Sequence, residues 1–160
     1  MRKYIAGDFQ MIMNNPLVIF TLEERRYALR SAVVEKVIRA VEINPLPQAP
    51  EIVTGVVNVQ GQIIPVIDVR RRFRLPRCEI SLTDQLIIAH TNLRKVGLVV
   101  DAVKDVVEYP EQDIAVAEGI LPGMEYVEGI LKLPDGLVLI HDLDKFLSLE
   151  EETSLAQALA

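Results

Sequence analysis

The chain contains itself twice. Residues 17–39 lie without a gap over residues 86–108, pairing Leu17 with Leu86, Arg25 with Arg94, Leu29 with Leu98, Val34 with Val103 and Val37 with Val106. Residues 55–73 lie in the same way over 129–147, pairing Gly55 with Gly129, Val56 with Ile130, Ile63 with Leu137 and Asp68 with Asp142. The offset grows from 69 to 74 between the two blocks, so the second copy carries five extra residues, expected around residues 119–123. A duplicated unit of this size predicts two related halves, about 17–83 and 84–149. Each half is too small to bury both faces of a sheet alone, so the two should pack on one another and leave a groove between them. Exchange of strands across that boundary is left open by the pattern.

Within each copy the signals are those of short β-branched strands. The run 17–22 is followed by a polar turn at Glu23-Glu24-Arg25-Arg26 and by Tyr27-Ala28-Leu29, which reads as a hairpin. Ser31 is placed to cap a short helix over 31–37. A second hairpin runs 56–59, turns at Gln60-Gly61, where glycine supplies positive φ, and returns over 63–67. Pro134-Asp135-Gly136 is the corresponding turn of the second copy. Pro65 lacks a ladder donor, which places its strand at an edge or a bulge. Asp68 and Asp142 stand where a strand gives way to a helix, as N-caps do. The expectation is a mainly β protein of two small five-stranded barrels, with short connecting helices. Residues 1–16, with Ile5, Phe9, Met11 and Met13, read as a tail. Residues 150–160, with Leu155 and Leu159 among acidic residues, read as a C-terminal amphipathic helix or tail.

Composition narrows what such a fold could do. Half of the residues are apolar, with 20 Val and 16 Ile, which fits a well-buried core rather than disorder. Twenty-three acidic against 17 basic residues give a net charge of −6, a field that repels nucleic acid. One cysteine, Cys78, cannot close an internal disulfide, and with two separated histidines it cannot complete a four-ligand zinc site; a reducing, cytoplasmic setting is expected. No apolar run approaches a membrane span, and Asp8, Gln10 and Asn14 interrupt the stretch a signal peptide would keep apolar.

Candidate chemistry is thin. Asp68 and Asp142 could be a carboxylate pair, and His141 beside Asp142 suggests acid–base work, giving a small-ligand or hydrolytic reading that needs all three to converge. Duplication favours a simpler account, in which the aspartates are two copies of one cap. His141, whose repeat partner is Ile67, is then a hydrogen-bonded core histidine. Cys78 has no histidine nearby to activate it. No glycine-rich phosphate loop precedes a helix, so nucleotide binding is unsupported, and with the single cysteine and two separated histidines no cofactor or metal is expected. The run Arg70-Arg71-Arg72 reads as a solvated helix face. Val33, Val34 and Val37, with counterparts Ala102, Val103 and Val106, offer more apolar surface than one short helix needs to bury, so an exposed remainder would be a docking patch.

Two segments carry a specific resemblance. Gly55-Val56-Val57-Asn58-Val59-Gln60-Gly61 followed by Pro65-Val66-Ile67-Asp68-Val69-Arg70, and Val96-Gly97-Leu98-Val99-Val100-Asp101-Ala102-Val103, resemble the signatures of the CheW family of bacterial chemotaxis coupling proteins, and the likeness extends from about Leu17 to Leu149. It implies two packed SH3-like β-barrels and a non-catalytic adaptor. Such a protein joins the cytoplasmic tip of methyl-accepting receptors to the regulatory domain of a CheA-type histidine kinase, without inserting into the membrane itself. It further implies receptor-facing or groove-shaping roles for Val34, Lys36, Gly55, Asn58, Gln60, Gly61, Gly97, Val99 and Val103. A kinase-facing loop is implied at Ile43-Asn44-Pro45-Leu46-Pro47, whose prolines would present Leu46. The chain departs from the family in having Gln60 where Arg is usual and Lys36 where Glu is usual, which opens the alternative of a scaffold moved to a divergent, non-motility pathway.

Overall fold

The computed structural model describes residues 2–3, 16–116 and 126–160. Its strands are β1 (Arg2–Lys3), β2 (Leu17–Leu22), β3 (Arg25–Arg30), β4 (Val34–Arg39), β5 (Val53–Val59), β6 (Gln62–Ile67), β7 (Gln85–His90), β8 (Lys95–Val100), β9 (Ala102–Glu108), β10 (Ile114–Val116), β11 (Val127–Leu133) and β12 (Gly136–His141). A one-turn helix α1 (Val69–Arg72) follows β6, and α2 (Leu149–Leu159) ends the chain. The extra residues expected around 119–123, and the tail side chains Ile5, Phe9, Met11 and Met13, lie outside the described residues. No described helix is long and apolar enough to cross a membrane.

The strands form two sheets, in the orders β4-β7-β8-β6-β5 and β1-β9-β2-β3-β12-β11-β10. Through the repeat, β9-β2-β3-β12-β11 matches β4-β7-β8-β6-β5 strand for strand, including the one parallel contact in each, β3 with β12 and β8 with β6. The short β1 and β10 are additions at the edges of the larger sheet. The first hairpin of each copy has changed places. The hairpin β2–β3 from the first copy completes the sheet of the second, and β7–β8 from the second completes the sheet of the first.

Alternation along the exchanged strands explains their unbroken apolar sequence. Leu17 and Ile19 of β2 enter a small core inside the seven-stranded sheet with Ala28, Leu131, Val138 and Ile140. Leu86 and Ile88 of β7 do the same inside the five-stranded sheet with Val57, Ile64 and Val66. The intervening Phe20 and Leu22, Ile87 and Ala89 point the other way, into a shared central core. A strand buried on both faces cannot alternate with polar residues. The central core fuses the sheets: it joins Tyr27, Leu29 and Tyr126 of one with Ile67, Leu98 and Val100 of the other, along with Phe73, Phe146 and Leu155.

Several local expectations change. The first turn holds two residues, not four: Glu23 and Glu24 both take positive φ, at 54° and 66°, the twist that suits a tight hairpin. Only residues Ser31–Val33 are helical, as a 3-10 turn with no side-chain cap, and the predicted helix over 31–37 is mostly strand β4. Pro65 is not on an edge strand, since β6 lies between β8 and β5. It is accommodated because the parallel ladder with β8 starts only at Val66. Asp68 does cap α1, its Oδ1 accepting from the Arg71 N–H at 3.0 Å. Asp142 caps a shorter 3-10 turn, accepting from the Asp144 N–H at 3.1 Å. The C-terminal helix forms, opened by a capping box between Ser148 and Glu151. It buries Leu155 completely, and Glu151 and Glu152 tie it to Arg72 and Arg94.

Candidate functional site

The five-stranded sheet curls until its ends approach each other. Edge strand β4 returns over the β5–β6 turn, where the Lys36 ammonium donates to Gln60 Oε1 at 3.2 Å. The turn that presents Gln60 is held by its own sequence. Gln60 and Gly61 take φ of 52° and 87°, and Asn58 Oδ1 accepts from the Gly61 N–H at 2.9 Å. Gly61 is there for the positive φ, and Asn58 serves to fix the loop.

Gly55 closes the other side. A Cβ on it would stand 2.3 Å from the Asn44 carbonyl oxygen, so only glycine lets the chain after β4 lie against β5. Asn44 there exchanges backbone hydrogen bonds of 2.7 and 2.8 Å with Val56, covering the edge of β5. Ile43 is half-buried against the small core of this sheet. Leu46 is turned inward against the central core instead of being presented, while Pro45 and Pro47 are exposed. Presentation by flanking prolines therefore does not hold for Leu46.

A row of polar side chains continues from this closure across the end of the sheet. Lys95 at the start of β8 reaches Gln62 Oε1 and Glu35 Oε2, each at 3.2 Å, and His90 Nδ1 lies 4.0 Å from Glu35. Glu35 is offered at this position by a β-bulge: Val34 pairs with Ala89 and Lys36 with Ile88, leaving Glu35 as the extra residue. The remaining predicted residues lie inside. Gly97 is buried, a Cβ on it meeting Leu86 Cδ1 at 3.1 Å, and Val99 packs on the small core. Val34 and Val103 are half-buried against the central core, as are Val33 and Val37, whereas Val106 is 38% exposed. The structure thus brings Lys36, Asn58, Gln60 and Gly61 together on the surface and sets Gly55, Gly97 and Val99 behind them.

Three features escaped the sequence reading. Asn44 contributes through its backbone, which leaves no compositional trace. Arg70, read as part of a solvated face, instead ties the β2–β3 turn to the five-stranded sheet through Glu23 and through Asp101 at 2.6 Å. Its side chain is 15% exposed. In the other copy Asp144, the repeat partner of Arg70, accepts from the Asn92 N–H at 2.8 Å and holds the β7–β8 turn in the same way. The third feature is His141. It is buried as expected, and neither ring nitrogen is in a well-formed hydrogen bond, the Tyr126 backbone being the one polar group that acts on it. It stacks on Phe73 at 4.2 Å and contacts Tyr27, Tyr126 and Phe146. Burial pushes its imidazole down to about 3, outweighing an opposing pull from the Tyr126 backbone. The Tyr126 carbonyl also accepts from the Asp142 N–H at 2.7 Å.

These facts leave the convergent acid–base reading without a site. Asp68 and Asp142 serve as caps at the ends of strands in different sheets, and His141 bonds to neither. No cluster of His, Cys, Asp or Glu among the described residues could hold a metal ion. The surface at Lys36 and Gln60 can offer a partner shape, hydrogen bonds and charge.

Comparison with known proteins agrees with this architecture. The profile of the CheW-like domain matches residues 16–151. The chemotaxis protein CheW of Klebsiella aerogenes is 29% identical over 149 residues, covering 92% of this chain and 88% of that protein. The chemotaxis protein CheW of Treponema pallidum is 26% identical over 146 residues, covering 88% of this chain and 86% of its own length. The crystal structure of the scaffolding protein TtCheW from Thermoanaerobacter tengcongensis superposes with a TM-score of 0.78 at 33% identity, over 87% of this chain and 96% of the other.

Proposed function

This chain belongs to the CheW-like domain family, and from that membership we propose that it is a non-catalytic adaptor of chemotaxis signalling. It couples methyl-accepting chemoreceptors to a CheA-type histidine kinase. The observation that carries the reading is the likeness of the whole two-sheet unit to a solved scaffolding protein, 96% of which is covered. One partner, the receptor tip, meets the surface around Lys36 and Gln60. The other, the kinase regulatory domain, meets the segment 43–47, with Pro45 and Pro47 on its exposed side. The protein works in the cytoplasm and is held at receptor arrays through these partners.

The mechanism is geometric. Because one central core fuses both sheets, surfaces on the two move as one body, and a shift of the receptor is passed to the kinase as a change of pose. A divergent pathway is the second reading, favoured by the Lys36–Gln60 contact standing where the family usually pairs Glu with Arg. Calorimetric titration with the regulatory domain of a CheA-type kinase and with a receptor-tip fragment, both from the same source, separates the two. Micromolar binding to both supports chemotaxis coupling. Binding to neither assigns the scaffold to another pathway.

A further inference from the structure

The segment assigned to the kinase regulatory domain lacks an anchor of its own. Protein interfaces are held mainly by a few side chains that enter pockets of the partner. Here Leu46 is turned into the central core, Ile43 is half-buried against the small core, and the prolines Pro45 and Pro47 are left exposed. The chain just before this segment meets a second one. Just past β4, the Ala40 N–H donates to the Asp84 carbonyl at 3.0 Å, which sets Val41 beside the turn Ser81-Leu82-Thr83-Asp84.

Polar residues fix that turn and leave its apolar residue outside. The Asp84 N–H donates to the Ser81 carbonyl at 3.0 Å, and the Ser81 N–H donates back to Asp84 Oδ2 at 2.8 Å. The hydroxyls of Ser81 and Thr83 lie 3.0 Å apart. Leu82 stands at the corner, 92% exposed, the most exposed large apolar side chain among the described residues. Ile80 and Val41 are exposed nearby. A lone surface leucine is ordinary, but aliphatic side chains gathered around a hydrogen-bonded turn mark a contact surface. Because the turn is already fixed, a partner that takes up Leu82 orders little additional chain.

We infer that Leu82, flanked by Val41 and Ile80, is the apolar anchor of the kinase-facing surface and enters an apolar pocket of a CheA-type regulatory domain. On the adaptor reading, on which this role rests, continuity selects the occupant. Val41 leads directly into 43–47, whereas the surface assigned to the receptor is polar where Lys36 meets Gln60.

The test is calorimetric titration of the full chain with that regulatory domain and with a receptor-tip fragment, both from the same source. Leu82→Ala should weaken kinase affinity about tenfold, as truncation of an interface anchor does, and leave receptor affinity unchanged. Leu149→Ala removes an 89% exposed leucine from α2 and should change neither affinity. Asp84→Ala keeps Leu82 but frees the Ser81 N–H, and should weaken kinase binding about threefold by loosening the turn. If the native protein binds the kinase and Leu82→Ala binds it equally well, or Leu149→Ala loses as much, the anchor role falls and the adaptor reading stands. With kinase affinity kept, a loss of receptor binding in Leu82→Ala, or of self-association in sedimentation velocity, gives Leu82 to that other occupant and overturns the role. Failure of the native protein to bind the kinase overturns both.

Discussion

The five strands β4-β7-β8-β6-β5 and the five strands β9-β2-β3-β12-β11 are one arrangement built twice, with different chemistry at shared positions. Backbone irregularities are held in common. The bulge at Glu35 in β4 recurs at Lys104 in β9, and that at Thr54 in β5 recurs at Glu128 in β11. Side chains are where the copies part. Arg70 latches a hairpin by charge and Asp144 does so by a single hydrogen bond; Ile67 fills a core and His141 leaves one polar. Register and bulges belong to the fold, and what differs between the copies is free to serve a task.

The largest contrast is expected at His141 under acid. Its folded value of about 3 lies below the ordinary 6.5, so the unfolded chain takes up the proton first. Its contribution is therefore complete above about pH 6.5 and is lost as the pH falls toward 3. His141→Phe should remove this loss, gaining on the native protein by up to about 5 kcal/mol between neutral pH and pH 3 in urea unfolding. Ile67 has no proton to bind, so Ile67→Val should run parallel to the native protein across the same range. A parallel curve for His141→Phe would show that the imidazole is not held neutral by burial.

The two close-approach glycines give the next contrast. Gly55→Ala drives a methyl into the Asn44 backbone and should cost about 3 kcal/mol. At Gly129 the first obstacle is Ile114 Cγ2 at 2.7 Å, a side chain that can rotate away, so Gly129→Ala should cost about 1 kcal/mol. Equal costs in denaturant unfolding would mean that both edges yield alike.

The sequence carried the hairpins, the two aspartate caps and the two-sheet plan, because these rest on local turn chemistry and on duplication. It could not carry the hairpin exchange. Leu17 and Leu86, or Ile19 and Ile88, fill either small core equally well, so exchanged and unexchanged pairings bury the same residues. The bulge at Glu35 explains the misread helix: it breaks the alternation of β4 and leaves Val33, Val34 and Val37 at helical spacing. The Lys36–Gln60 contact was legible only as a paired departure from a family pattern, and the aromatic cage around His141 not at all, since Tyr27, Phe73, Tyr126 and Phe146 are brought together by packing.

Smaller effects separate the latches. Arg70→Ala frees two carboxylates from a largely covered guanidinium and should cost about 1.5 kcal/mol, against about 0.5 for Asp144→Ala, whose hydrogen bond is exposed. A reversed order would place the firmer hairpin in the other sheet. Smallest, and specific to binding, is Gln60→Arg. It sets a second cation against Lys36 and should weaken receptor-fragment affinity about threefold, while Lys36→Glu with Gln60→Arg should restore it. Equal affinities in the two variants would remove charge compensation from the account.

The adaptor reading stands or falls on simultaneous binding. Sedimentation velocity of the full chain mixed with a CheA-type regulatory domain and a receptor-tip fragment tests it directly. One boundary containing all three components is the expected result. Displacement of either partner by the other would contradict it.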